Sequence, residues 1–205
     1  MITIRLNSGA ARNRLNAIAE VVEHPADMLA EGAVRVERTL RGHFSERDKR
    51  GNKLGGRRTH YWAAIANSTA VGEVTDRQAD IEIGDPRFAQ TLYGGVIRAK
   101  TPWPFSGFLL LTIPVHPIAY GRKASKLKQE FGLKLRFIGK ASGGVLAAYG
   151  EGQLQVLYAC VPQVDQAPDP EALPEGEVLE AEALQGAEDY LRTKVQQSQT
   201  GVSEP

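Results

Sequence analysis

The chain has 205 residues, of which 42% are hydrophobic and 24% are charged, and its formal net charge is +1. This composition is typical of a globular protein with its own core. The near-neutral charge gives no overall indication of a nucleic acid or a membrane surface as partner. The single cysteine, Cys160, excludes an intramolecular disulfide and a multi-cysteine metal site.

The apolar runs of the chain are short. None resembles the core of a signal peptide or reaches the length of a membrane span. We therefore expect a soluble protein that is cytoplasmic when it is synthesised. Cys160 lies in an apolar stretch, where a lone cysteine is most often a small buried side chain.

The N-terminal part of the sequence predicts a short strand and then a long, kinked helical segment. Residues 2–6 alternate between apolar and polar side chains, as a strand does. Two apolar stripes at helical spacing follow, and Pro25 between them predicts a kink or a break. We interpret both stripes as core positions: Ala11, Leu15, Ile18 and Val22 in the first, and Leu29, Ala33, Val36, Leu40 and Phe44 in the second.

A basic segment overlaps the end of the second stripe. Residues 35–58 contain nine basic and three acidic side chains, a net charge of +6. Glycines interrupt the part from 47 to 58, which we interpret as a flexible basic loop. Its basic side chains are candidates for contact with nucleic acid or with a protein partner: Arg47, Lys49, Arg50, Lys53, Arg57 and Arg58.

A short helix at residues 61–66 and a hairpin of residues 71–74 and 79–83 are predicted after this loop. The pair Gly94-Gly95 indicates a bend or a close approach of two backbone segments. Trp103 and Phe105 lie between prolines in an extended loop, where they are candidates for an interface anchor.

The central stretch, residues 108–158, predicts an antiparallel meander. Apolar and basic side chains alternate from residue 133, which is typical of a strand with one buried face. Glycine-rich turns follow at 139–144 and 150–152, and we expect a single twisted sheet of about five to seven strands. The alternation predicts inward-facing side chains at Leu109, Leu111, Leu135, Phe137, Leu154 and Val156.

The composition changes after Val161. Prolines interrupt an acidic segment, and residues 165–192 carry nine acids and one base, a net charge of −8. A last helical stripe precedes a polar tail from Gln196, which we expect to be frayed. The opposite charges of the basic and acidic segments indicate either contact between copies of the chain or internal neutralisation.

These patterns together predict an α+β fold. We expect a single domain over residues 1–162, in which a long kinked N-terminal helical segment packs on an antiparallel twisted β-sheet. Residues 163–205 are predicted to form a linker rich in proline and acid, a C-terminal helix and the frayed tail.

The sequence offers no pattern for catalysis or metal binding. His24, His43, His60 and His116 lack the spacing of metal ligands. There is no phosphate-binding loop, no dinucleotide-binding fingerprint and no nucleophile elbow. We therefore expect no enzyme activity, no catalytic residue, no metal and no cofactor.

Five short stretches, taken in order, resemble a known family. They are residues 55–62 (GGRRTHYW), 81–84 (IEIG), 93–98 (YGGVIR), 111–115 (LTIPV) and 119–124 (AYGRKA). In their order and spacing they resemble the virion-morphogenesis proteins of phages and prophages, which include tail-completion and head–tail joining proteins. The resemblance covers residues 57–161 and does not extend to the acidic C-terminal segment.

This resemblance implies a structural protein that acts by self-assembly and docking rather than by catalysis. Its expected partners are further copies of itself, in a ring, and other proteins of the phage neck or tail. The protein would then be a component of the virion. The alternative, based on residue chemistry alone, is a nucleic-acid-binding module that uses the basic loop 47–58.

Overall fold

The computed structural model describes residues 9–51, 58–102, 107–150 and 153–200. Six α-helices and eight β-strands lie within these residues. The predicted α+β class is therefore confirmed. The strand predicted at residues 2–6 lies outside the described residues.

In chain order the elements are α1 (Gly9–Glu23), α2 (Ala26–Lys49), α3 (Tyr61–Asn67), β1 (Thr69–Val74), β2 (Ala79–Ile83), α4 (Arg87–Tyr93), β3 (Gly95–Arg98), β4 (Leu111–Pro114), a 3-10 turn (Pro117–Ala119), α5 (Ala124–Phe131), β5 (Leu135–Lys140), β6 (Gly143–Gly150), β7 (Gln153–Val161), β8 (Gln163–Gln166) and α6 (Gly176–Thr200).

These elements divide between two compact units. The first unit comprises the described residues up to Ser45, the segment Ala64–Asp85 and the described residues from Leu173 onward. The second unit comprises Glu46–Ala63 and Pro86–Ala172. This division differs from the boundary expected at residue 162, because β8 belongs with the second unit and α6 belongs with the N-terminal helices.

The break that Pro25 predicts between two helices is present. α1 ends where the His24 amide donates to the Glu20 carbonyl, and α2 begins where the Leu29 amide donates to the Pro25 carbonyl. Proline is tolerated there because the first turn of a helix does not use its missing amide hydrogen. The second predicted stripe is largely buried, with Ala33, Val36, Leu40 and Phe44 in the core and Leu29 half-buried.

The interpretation of the first stripe as core is wrong. Leu15, Ile18 and Val22 are exposed, and Val21 is the large apolar side chain of α1 that is buried. α1 packs against α6 with the side of the helix that carries Val21, so its more apolar stripe lies on another side.

α2 and α6 approach each other closely at two glycines of the first unit. A Cβ atom on Gly32 would lie 3.0 Å from the Ala183 carbonyl oxygen, and one on Gly186 would lie 2.8 Å from the Glu31 carbonyl oxygen. Part of the negative charge of α6 is paired here, because Arg35 lies 3.2 Å from Glu182 and 2.5 Å from Asp189. Helix α6 continues to Thr200, past the point where the sequence predicted fraying.

The strands of the described residues form three sheets, not the single sheet that was predicted. β1 and β2 form the predicted hairpin in the first unit. In the second unit β4, β7, β6 and β5 form an antiparallel sheet in that order, and β3 pairs separately with β8. Alternation in the sequence indicates that a strand exists, but it does not specify which strand lies beside it.

The core of the second unit lies between the four-stranded sheet and α5. Its fully or nearly fully buried members are Leu110, Ala119, Ala124, Leu127, Leu146, Ala148, Leu157, Tyr158 and Cys160. Helix α5 was not predicted from the sequence, and it contributes Ala124 and Leu127 to this core. The N-terminal helices were predicted to fill this role, whereas within the first unit α1 packs against α6.

The predicted inward register of the sheet is partly wrong. Leu109, Leu154 and Val156 are exposed, whereas Leu135 and Phe137 pack against the core from half-buried positions. A bulge between Leu146 and Ala147 changes the register of β6 against β7. Because an extra residue in one strand reverses which side chains point inward, strict alternation along β7 gives the wrong face.

Gly94 lies where two backbone segments meet, as the sequence predicts. Its φ is +70°, and a Cβ atom there would lie 2.5 Å from the carbonyl oxygen of Gln166. Only glycine fits this position without strain. The close approach places β3 beside β8, so residues 163–166 form a strand rather than the predicted linker.

Candidate functional site

The site is built around Arg47, at the C-terminal end of α2. Its guanidinium donates from Nη2 to Asp169 at 2.5 Å, and Nη1 donates to the Glu171 carbonyl oxygen. The ring of Trp62 lies 4.1 Å from the guanidinium carbon. The side chain of Arg47 is only 9% exposed, so this arrangement replaces most of its contact with water.

These contacts explain why a charged side chain is buried at the end of a helix. A buried charge destabilises a protein unless it is paired and hydrogen-bonded. Arg47 has a carboxylate, a carbonyl oxygen and an aromatic face around it, and it also lies at the helix end where a positive charge is favoured. Arg47 is therefore a fixed part of the second unit, not a member of a flexible loop as predicted.

The neighbouring basic side chains are paired near the surface. Arg50 contacts Glu171 at 2.9 Å, and Lys49 contacts Glu46 at 2.5 Å. All four of these side chains are about two-thirds exposed, so each pair stabilises the fold only weakly. Even so, both candidates, Arg50 and Lys49, are already paired with carboxylates of the same chain.

Asp48 joins the end of α2 to the start of α3. One carboxylate oxygen accepts from the Ala63 amide at 3.2 Å, and the other lies 3.0 Å from His60 Nδ1. Burial raises the pKa of the Asp48 carboxyl, but the hydrogen bonds from His60 and Ala63 and the charge of Arg58 outweigh it, so the pKa lies below its usual value. His60 has a φ of +52°, a conformation uncommon outside glycine.

A second set of contacts holds α3 and α4 together. The hydroxyl of Tyr61 lies 2.5 Å from Thr91 Oγ1, and the Arg87 guanidinium lies 5.1 Å from the Tyr61 ring. The Thr91 carbonyl oxygen in turn accepts from the Asp169 amide at 3.0 Å. This hydrogen bond fixes the segment that carries the carboxylate partner of Arg47.

The side chains at the end of α2 line an open pocket of about 780 Å³. Its charged lining consists of three arginines, Arg47, Arg50 and Arg58, and three carboxylates, Asp48, Asp169 and Glu171. These formal charges cancel. Among the residues that the structure describes, the lining therefore shows no excess of the positive charge that nucleic-acid binding requires.

Four of the eight predicted site residues lie among the residues that the structure describes. Arg47, Lys49 and Arg50 are ion-paired, and Arg58 is exposed at the rim of the pocket. The other four, Lys53, Arg57, Trp103 and Phe105, lie outside the described residues.

Sequence reasoning missed the partners of these arginines. Asp169 and Glu171 come from the acidic segment, more than a hundred residues away along the chain. The only indication of these partners in the sequence was the opposite charge of the basic segment 35–58 and the acidic segment 165–192. Opposite charge is compatible with contact between copies of the chain as well as with pairing inside one copy. In each unit the structure shows internal pairing, through Arg35 in the first and Arg47 in the second.

The four-stranded sheet of the second unit has a largely apolar outer face. We define the apolar sheet face as Ile138, Tyr149, Leu154 and Val156, which are between 39% and 69% exposed. Tyr149 and Leu154 are directly opposite each other on β6 and β7, and Val156 lies opposite the small residue Ala147. Clustered apolar side chains that remain exposed mark surfaces where proteins associate.

Other chemical features are few. Cys160 is buried, and its burial raises the pKa of the thiol. In the described parts of the chain, histidine, cysteine and carboxylate side chains form no cluster that could hold a metal ion. No helix among the described residues is long and apolar enough to cross a membrane.

Comparison with known proteins identifies no relative of this chain. No protein-family model matches the sequence, and neither the curated proteins nor the solved structures contain a match.

Proposed function

We propose that the protein is a structural component of phage or prophage virion morphogenesis, in head–tail joining or tail completion. It acts by self-assembly and docking rather than by catalysis. Its partners are further copies of itself, in a ring, and other neck or tail proteins. In a productive phage it becomes part of the virion.

The observation that carries this proposal is the apolar sheet face. Exposed apolar side chains lower the solubility of a free monomer, so a set of them on one face indicates a surface that another protein covers. Tyr149 is the largest of the four and combines an apolar ring with a polar tip, a combination that is common at the centres of interfaces.

The resemblance gives the proposal its particular class. Residues 93–98 lie at the end of α4 and in β3, and residues 111–115 include β4. Residues 119–124 lead into α5, which covers the inner face of the sheet. The stretch 55–62 is assigned to the same unit, so four of the five stretches on which the resemblance rests belong to the unit that carries the apolar sheet face.

The alternative function, nucleic-acid binding through the basic loop 47–58, gains no support from the contacts of those loop residues that the structure describes. Arg47, Lys49 and Arg50 are paired with acidic residues, and the charged lining of the pocket is balanced. Phosphate contacts would have to displace these carboxylates, which lowers the affinity that each arginine can contribute.

Deletion of the gene from an inducible prophage tests the proposal. We expect induced cells to produce heads and tails that remain unjoined or incomplete in electron micrographs, and the wild-type gene to restore infectious particles. We also expect genes for capsid, portal and tail-tube proteins to flank it. Normal yields of infectious particles without the gene would overturn the proposal.

A pair of tyrosine variants connects the phenotype to the proposed surface. Tyr149→Asp places a charge in the apolar sheet face, and Tyr93→Asp is its control at an exposed tyrosine of the same unit. Both side chains are largely exposed, so both variants should fold. We expect the gene with Tyr93→Asp to complement the deletion and the gene with Tyr149→Asp to fail. Equal complementation would show that docking does not use this face.

A further inference from the structure

Helix α1 has two apolar sides, and the described residues pack against only one of them. Val21 is buried and Ala17 is half-buried where α1 meets α6. Leu15, Ile18 and Val22 are 66%, 40% and 71% exposed. At about 100° per residue, these exposed side chains form a stripe that lies roughly 110° around the helix from the packed side. All of these residues belong to the first unit.

The spacing of the exposed stripe is that of a seam between two helices. Ala11, Leu15, Ile18 and Val22 are separated by steps of four, three and four, which is the a/d pattern of a coiled coil. A pair of free helices this short would be only marginally stable in water. Because α1 is already packed against α6, however, a partner meets a formed helix and no folding has to accompany binding.

The charges beside the stripe indicate the direction of the partner. Arg12 lies near the start of α1 and Glu23 is its last residue, and both are exposed. Both lie on the same border of the stripe, each at roughly 90–110° from its centre. In an antiparallel pair about a two-fold axis, Arg12 of one copy lies beside Glu23 of the other. In a parallel pair about a two-fold axis the same border of the two copies lies on opposite sides of the seam, so Arg12 and Glu23 would not meet.

We propose that the exposed stripe of α1 binds α1 of a second copy of this chain, antiparallel and about a two-fold axis. The proposal goes beyond the ring of the proposed function, because a two-fold contact joins copies in pairs and does not by itself close a ring. It rests on that function only for the biological use of the contact. Interfaces of this symmetry use the same patch on both subunits, which suits a stripe that is apolar throughout.

The size of the seam limits the strength of the contact. A helix of 15 residues is about 22 Å long. Two such helices bury less than the roughly 800 Å² per partner that is usual for stable complexes. We therefore expect association that depends on concentration, not a permanent dimer.

Analytical ultracentrifugation of the full chain over a range of concentrations tests this proposal. We expect the wild-type protein to dimerise reversibly. Leu15→Asp should raise the Kd at least about tenfold, because it places a charge at the centre of the seam. Leu184→Asp, at an exposed leucine of α6 in the same unit, is the matched control and should leave the Kd unchanged. Circular dichroism checks that both variants fold.

A charge exchange tests the antiparallel direction. Arg12→Glu and Glu23→Arg should each weaken the dimer, since each places like charges together, and the double variant should restore it. Both substitutions suit the helix dipole, with an acid near the N-terminus and a base at the C-terminus, so neither should unfold α1.

Three results would overturn the inference. The first is a wild-type chain that stays monomeric, because the stripe is then covered by its own chain or by another protein. The second is an equal Kd for Leu15→Asp and Leu184→Asp, which places self-association elsewhere and leaves the proposed function intact. The third is a double charge variant that associates no better than the single ones. The gene-deletion phenotype is independent of all three.

Discussion

Arg47 illustrates how burial of a charged side chain depends on its surroundings. Its charge is balanced by Asp169, its two terminal nitrogens donate to that carboxylate and to a carbonyl oxygen, and the ring of Trp62 lies against its guanidinium. Lys49, only two residues further on, is exposed and pairs with Glu46. These two cations of one helix end therefore differ greatly in what their partners contribute to stability.

Removal of either partner carboxylate measures this difference. Asp169→Asn leaves Arg47 buried without a compensating charge, and breaking such a pair destabilises a protein strongly. Since Asp169 is itself 30% exposed, we expect a loss of about 1–3 kcal/mol in the free energy of unfolding. Glu46→Gln, which removes the exposed partner of Lys49, should change it by less than about 0.5 kcal/mol. Chemical denaturation of both variants gives the comparison, and equal losses would contradict the role assigned to Asp169.

At the scale of elements, the close approach of α2 and α6 depends on glycine. Gly32 and Gly186 let the two helix backbones approach so closely that a side chain on either residue would meet the backbone of the opposite helix. Arg35 then reaches both Glu182 and Asp189 on α6. Gly42 lies in the same helix as Gly32, but a side chain there would meet nothing within 4 Å.

Two glycine-to-alanine substitutions should therefore have opposite effects. Gly186→Ala forces α2 and α6 apart, and we expect it to destabilise the first unit by about 1–3 kcal/mol. Gly42→Ala adds a methyl group in open space and removes flexibility from the unfolded chain, so we expect a gain of about 0.5–1 kcal/mol. Thermal unfolding followed by circular dichroism measures both. A stable Gly186→Ala variant would show that the helices are not packed as closely as described.

The elements also show which parts of the fold can be predicted from sequence. Pro25, the β1–β2 hairpin and Gly94 were predicted because their signals are local, in the conformations that proline, turn residues and glycine allow. The pairing of β3 with β8 was not predicted. The two strands are far apart along the sequence, and the sequence of a short strand carries little information about which strand lies beside it.

The same limit applies to the candidate site. The basic residues at the end of α2 were recognisable from composition, but their carboxylate partners were not, because charge complementarity does not specify distance or pairing. The first apolar stripe of α1 has the spacing of a core helix in the sequence, yet most of its side chains are exposed in the structure. Periodicity shows that a helix has an apolar side, but not which molecule covers it.

At the scale of the whole molecule, the C-terminal quarter completes both units. β8 and the 169–171 segment belong to the second unit, and α6 belongs to the first. The acidic segment was expected to be a linker with a helix and a tail. Four of its nine acids instead pair with arginines inside the units, Glu182 and Asp189 in the first and Asp169 and Glu171 in the second.

Two truncated chains separate these roles. A chain that ends at Ala172 keeps β8 and Asp169 but lacks α6, whereas a chain that ends at Pro162 lacks all three. We expect α1 and α2 to lose amide protection in both, because their packing partner α6 is absent. The core strands β6 and β7 should stay protected in both, since their core comes from residues 110–160. Strand β3 should be protected only in the longer chain, where its partner β8 remains.

Hydrogen exchange read by mass spectrometry distinguishes these outcomes peptide by peptide. The decisive comparison is β3 in the two truncated chains, because they differ by ten residues that include β8 and the partners of Arg47. Equal protection of β3 in both chains would mean that its hydrogen bonds to β8 contribute little to its stability. If α1 and α2 stay protected without α6, these helices are stabilised by other contacts. The ion pairs of Arg35 with α6 then contribute little to the stability of the first unit.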